Sequence, residues 1–217
     1  MRADVVQQLE EEIVFGILHS KEKLVEEDLA ARFNEKRHVI RDVLEDLHAA
    51  GLITRIPNRG AFVRELTPTE VTEIYEVREV MEVAAAMRTP LPAPEPILTK
   101  MREIQNRHSA AIAAGDLRAV FYLNIEFHQA QYSACNNSKL VEIIVDCAKQ
   151  AHLIRAVKYA DPGHLKKVER DHLAILAAMS GTDRQALIEV VKAHLPDSPN
   201  AYIRAYEQRY GTRHDSV

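Results

Sequence analysis

The chain has 217 residues and a formal net charge of −4, with 47% hydrophobic and 28% charged residues. That composition can bury the core of one large or two ordinary domains under a charged surface, and it excludes disorder over most of the length. No apolar run approaches the roughly 18–20 residues that span a bilayer, MRADVVQQLEEE lacks the layout of a secretory signal, and Cys135 and Cys147 lack a CxxC spacing; a cytoplasmic chain with two packing cysteines and no membrane partner is expected.

Val6, Leu9, Ile13 and Ile17 recur at three- and four-residue spacing, which predicts an amphipathic helix over 4–19. A short helix over 26–33 turns Leu29 and Phe33 inward. A third starts around Asn34–Lys36 and carries Ile40, Val43, Leu44 and Leu47 inward until Gly51 ends it. LITRI and AFVREL, joined by PNRG, then predict a hairpin. Three helices and a hairpin make a winged helix-turn-helix over 1–66.

From Thr67 the pattern is helical only. Thr67 as N-cap, Pro68 at the first helical position and Glu70 behind it open a helix to about Arg88. TPLPAPEP, residues 89–96, is an extended connector, and helices follow at about 97–114, 116–134, 138–159, 164–180, 183–195 and 198–210. The fold class is mainly α: a winged helix over 1–66 and an all-helical bundle over 67–217.

The acidic chain concentrates cations in one place. On the third helix Arg37 and Arg41 share an outward strip beside the apolar one, at the helix's N-terminal end, with Lys36 and His38 alongside. A solvated face accounts for such a strip; so does a helix in the major groove, where arginine pairs both acceptors of guanine. Arg55 and Arg59 on the hairpin would reach the flanking backbone or minor groove, and Gly60 would let the tip approach closely. LVEEDLAARF, RHVIRDVLEDLHAAGLI and IPNRGAFV resemble the GntR family of bacterial transcription regulators over about residues 5–65. The resemblance implies operator DNA as partner, Arg37 and Arg41 as recognition-helix arginines, and Asn58, Arg59 and Gly60 as the wing tip. Lys36 stands where the family places a small hydroxyl cap, so the cap is expected to pass to Asn34, and Lys36 and His38 to join in operator reading.

In the second half three histidines fall on apolar stripes: His128 with Phe121, Ile125 and Tyr132; His172 with Val168, Ile175, Leu176 and Met179; His194 with Leu187 and Val191. Each imidazole points inward, as a hydrogen-bonded core residue or, for the set, as ligands of a metal held between helices. Asn124, one turn before His128, adds an oxygen. Glu126, Glu169 and Asp171 are candidate acceptors behind the ligands, or surface acids. NIEFH, VERDHLAIL, VVKAH and the opening YEVREVME resemble the FCD effector domain of the FadR branch over about 68–210. That resemblance implies Asn124, His128, His172 and His194 as ligands of a divalent metal (Zn, Ni, Mn or Fe by ligand type), and a homodimer. Three neutral imidazoles and an amide leave the ion's charge uncompensated, so a small carboxylate effector is expected on the metal, held also by Arg78 or Arg155, with Arg78 preferred for lying in the matched opening helix.

The reading is a DNA-binding regulator, by expectation a repressor and not an enzyme, controlled by an organic acid. Alternatives are a metal-dependent enzyme carrying a DNA-binding domain and a regulator sensing the metal itself. No phosphate loop, HExxH or GxSxG is present.

Overall fold

The computed structural model describes residues 2–155 and 161–211. The head is built from α1 (Arg2–Val14), β1 (Lys23–Leu24), α2 (Glu26–Phe33), α3 (Arg37–Ala49), β2 (Ile53–Ile56) and β3 (Gly60–Val63). The first helix stops earlier than its apolar spacing predicts. Gly16, at φ 71°, closes it with bonds from Gly16 N–H to Ile13 O (3.2 Å) and from Ile17 N–H to Glu12 O (2.8 Å), leaving Ile17 66% exposed. Asn34 does not cap α3. It ends α2 in the left-handed conformation, and Lys36 is the N-cap without a side-chain bond. Ile40, Val43, Leu44 and Leu47 are buried as their spacing predicts.

The hairpin has a third partner: β1 pairs antiparallel with β3, giving the order β1-β3-β2. Two residues of strand are too short for a periodic signal. At the wing tip Arg59 N–H bonds Ile56 O (3.0 Å), with Pro57 second in the turn and Asn58 third at φ 61°, and Gly60 follows at φ 101°.

The helical part comprises α4 (Pro68–Arg88), α5 (Glu95–Ala114), α6 (Leu117–Ser133), α7 (Ser138–Gln150), α8 (His152–Arg155), α9 (Pro162–Ser180), α10 (Arg184–His194) and α11 (Asp197–Tyr210). Thr67 and Glu70 form both halves of a capping box at the start of α4. The helix expected over 138–159 breaks at Ala151, which is fully buried where α8 joins the head, so tertiary packing overrides helical propensity there. Its last residues, 156–159, lie outside the described residues. Cys135 is buried and Cys147 half-buried, both as free thiols.

Packing crosses the 66/67 boundary. Val71, Tyr75, Leu153, Ile154 and Leu195 share a core with Leu9, Leu44 and Leu47 of the head, while Val14 of α1 packs among Phe121, Phe127 and Leu187. Polar contacts reinforce the junction. Arg118 Nε lies 2.9 Å from Glu11, Tyr122 donates to Glu11 (2.7 Å), and His152 Nδ1 meets Glu10 Oε1 at 2.9 Å.

Candidate metal centre and DNA interface

Helices α6, α9 and α10 bring His128, His172 and His194 together, with one nitrogen of each within 4.8 Å of the others. The opposite nitrogen of each ring is tied to a side-chain oxygen: His128 Nδ1 to Gln131 (3.0 Å), His172 Nδ1 to Gln105 (2.8 Å) and His194 Nδ1 to Asp171 (3.0 Å). Burial works to raise the Asp171 pKa, but the bonds from His194 and Lys167 outweigh it and hold it below the ordinary value. Asp171 is therefore an acceptor, and His194 Nδ1 carries the proton. The Gln105 amide nitrogen is engaged with Ser109 Oγ (3.1 Å), so its oxygen faces His172. Each Nε2 is left with an inward lone pair, the arrangement in which imidazoles bind a cation.

Burial pushes His128 and His172 well below the ordinary imidazole value, and neighbouring histidines add to the effect. Phe127 stacks on His172 at 4.0 Å, and His172 Nε2 is buried without a hydrogen-bond partner among the described residues. An orphaned lone pair beside two others fits a divalent ion. Asn124 is buried one turn before His128. Of the three acids named as acceptors, Asp171 serves; Glu126 instead pairs with Arg107 on the surface (3.4 Å).

A cavity adjoins this centre, lined by Arg78, His108, Asn124, Arg155, Asp171 and His194 among others. The expected preference for Arg78 meets an obstacle. Arg78 is 2% exposed and already paired with Glu82 (Nη2 to Oε1 2.8 Å), with its guanidinium 4.7 Å from the Tyr75 ring centroid. Both partners are buried, so the pair is not a surface ion pair. Arg155 is half-buried and makes no ion pair among the described residues.

Sequence reasoning passed over Gln105, Gln131 and His108. His108 shares an α5 stripe with Leu98, Met101 and Gln105, a three-and-four spacing that marks it as inward-facing. Burial lowers its pKa to about 4, opposed only in part by the charge of Glu169.

In the head, Lys36, Arg37, His38 and Arg41 are all exposed along the start of α3. Arg37 pairs with Glu27 and Arg41 with Glu26 (2.8 Å), both acids on α2. Arg55 on β2 pairs with Glu45 of α3, while Asn58, Arg59 and Gly60 are exposed at the wing tip. α3 and the wing thus place their cations on the surface, three of them matched to acids.

A winged helix joined to an all-helical bundle is the architecture of a DNA-binding transcription regulator. Residues 1–63 match the bacterial regulatory proteins of the gntR family, and residues 73–197 match the FCD domain. The chain belongs to the GntR family of transcription regulators, in its FadR-like, FCD-containing branch. It is 26% identical over 188 residues to the HTH-type transcriptional regulator YdhC of Bacillus subtilis (86% of this chain, 84% of the relative). It is 23% identical over 189 residues to the transcriptional repressor RspR of Escherichia coli (87% and 83%). A crystal structure described as a transcriptional regulator GntR from Rhodococcus sp. RHA1 shares the fold, at TM-score 0.78 and 24% identity, over 94% of this chain and 98% of that one. These families and relatives are regulators of transcription rather than enzymes, and GntR regulators bind operator DNA. No described helix is long and apolar enough to cross a membrane.

Proposed function

We propose that this regulator is a repressor whose head, residues 1–66, reads operator DNA under the control of a small carboxylate bound at a divalent metal in the bundle, residues 67–217. Arg37 and Arg41 read bases, Lys36 and His38 assist, and Arg55, Asn58, Arg59 and Gly60 contact the backbone. Asn124, His128, His172 and His194 hold the ion. The observation that carries the metal reading is the convergence of three Nε2 lone pairs whose opposite nitrogens are tied to oxygens. Imidazole and amide oxygen suit Zn, Ni, Mn or Fe. When bound, the ion supplies a positive centre that these neutral side chains do not cancel, which favours an anionic effector. Repression has the support of a relative named as a repressor.

Coupling to DNA runs through α8. Arg155 lines the cavity at one end of this short helix, His152 bonds Glu10 of α1 at the other, and Leu153 and Ile154 lie in the head's core. A carboxylate drawn to Arg155 shifts α8 and with it the head, provided it binds the two positions with different affinity. A homodimer is supported by an apolar strip on α4 and α7: Val77, Val80, Met87 and Ile143 are each more than half exposed. A two-fold pair of heads reads an inverted repeat. Calorimetry with mono- and dicarboxylates on metal-loaded and metal-free protein tests the scheme; equal affinity in both forms would reject the metal's part in it.

A further inference from the structure

His108 has no part in the scheme above. It is 0% exposed, both ring nitrogens lack a hydrogen-bond partner among the described residues, and it lines the same cavity as Asn124, Arg155 and His194. Its ring centre stands 5.1 Å from that of His172, yet it is outside the group whose nitrogens converge. Gln105, one turn away on the same face, is committed to His172 and Ser109. Buried polar atoms in native folds are nearly always partnered, and a wall of the cavity that departs from this rule points to a ligand group that supplies the bonds.

The chemistry of the missing partner follows from that of imidazole. Buried, with no carboxylate in hydrogen-bond reach, the ring is neutral and offers one N–H donor and one lone pair. A carboxylate satisfies only the donor and an ammonium only the lone pair. A hydroxyl meets whichever nitrogen faces the cavity, because it both donates and accepts. We infer that His108 is a specificity-determining residue that binds a hydroxyl of the effector, so that the regulator answers to a hydroxy acid in preference to the corresponding plain carboxylic acid. The inference rests on the carboxylate reading above, and adds to it the second group by which the acid is recognised.

The test is calorimetry on full-length, metal-loaded protein with the pairs glycolate and acetate, lactate and propionate, malate and succinate. In at least one pair the hydroxy acid should bind about 10- to 100-fold more tightly, the range expected when a buried hydrogen bond is lost. His108→Leu should remove that preference while metal content and affinity for the plain acid stay unchanged, and His108→Gln, which keeps a donor and an acceptor, should retain part of it. Preference that persists in His108→Leu, or plain acids that bind as tightly as hydroxy acids in every pair, would overturn the inference and leave the carboxylate reading standing. If neither kind of acid binds, the carboxylate reading fails and this inference with it. A readout free of ligand is the melting temperature: His108→Leu removes two unpartnered buried atoms and should melt higher by about 2–4 °C. Lower melting of both the Leu and Gln variants would mark His108 as a structural residue and overturn the assignment.

Discussion

His128 Nε2 and His194 Nε2 face each other at 3.2 Å, although the other nitrogen of each ring is turned to an oxygen of Gln131 or Asp171. With Nδ1 protonated on both rings, two lone pairs are opposed across the gap. That repulsion is relieved by a positive charge between them, and His172 Nε2, buried and unpartnered, points to the same requirement.

Replacing His128, His172 or His194 with Ala should lower metal content and thermal stability together, because an ion bound only to the native state stabilises it by mass action. Elemental analysis of protein purified without chelator, paired with melting curves, is the measurement. Full occupancy in His172→Ala would refute the ligand set.

Acid should destabilise the metal-stripped protein before its carboxylates titrate. Burial lowers His108 to about 4 and also depresses His128, His152 and His172, whereas in the unfolded chain histidines titrate near 6.5. Below that pH the unfolded chain takes up protons that the folded chain refuses. This contribution is therefore fully present above about 6.5 and is lost as pH falls toward 4. Melting temperature should drop across that window, less steeply in His108→Leu; a flat profile would contradict the burial of neutral imidazoles.

On DNA, Arg37→Ala or Arg41→Ala should cost about 1–3 kcal/mol on the specific site, while Arg59→Ala should weaken every sequence alike. Titrations on operator and random duplexes separate the roles. Equal losses on both for Arg41→Ala would remove it from base reading.

The pairs Arg37–Glu27 and Arg41–Glu26 mean that phosphate competes with carboxylates for the same cations. Glu27→Gln should therefore tighten binding to any duplex by a few-fold at low salt, with the gain fading as ionic strength rises. Anisotropy across a salt series is the check, and an effect independent of salt would argue against a charge origin.

Tyr122→Phe tests the seam between head and bundle. Loss of the 2.7 Å bond to Glu11 should cost about 1 kcal/mol of stability, and by loosening α1 on α6 it should weaken the effect of ligand on DNA affinity. Unchanged coupling at reduced stability would confine Glu11 to a structural role.

Local spacing alone determined much of this protein. The 3.6-residue period placed Ile40, Val43 and Leu47 inward on α3, Thr67, Pro68 and Glu70 announced the start of α4, and the apolar stripes around His128, His172 and His194 turned each imidazole to the interior. Such signals fix the face a side chain occupies because they depend on neighbours within a turn or two. Which faces then meet is set by packing between distant elements. Gln105 reaches His172 across 67 residues, Glu10 reaches His152 across 142, and the two-residue β1 finds Ala61 and Phe62 of β3. The spacing of Leu98, Met101, Gln105 and His108 carries an inward signal that the sequence reading left unused, and it says nothing of whether the ring's nitrogens find partners. Only the tertiary structure decided that, because the need for a partner depends on every element surrounding the ring.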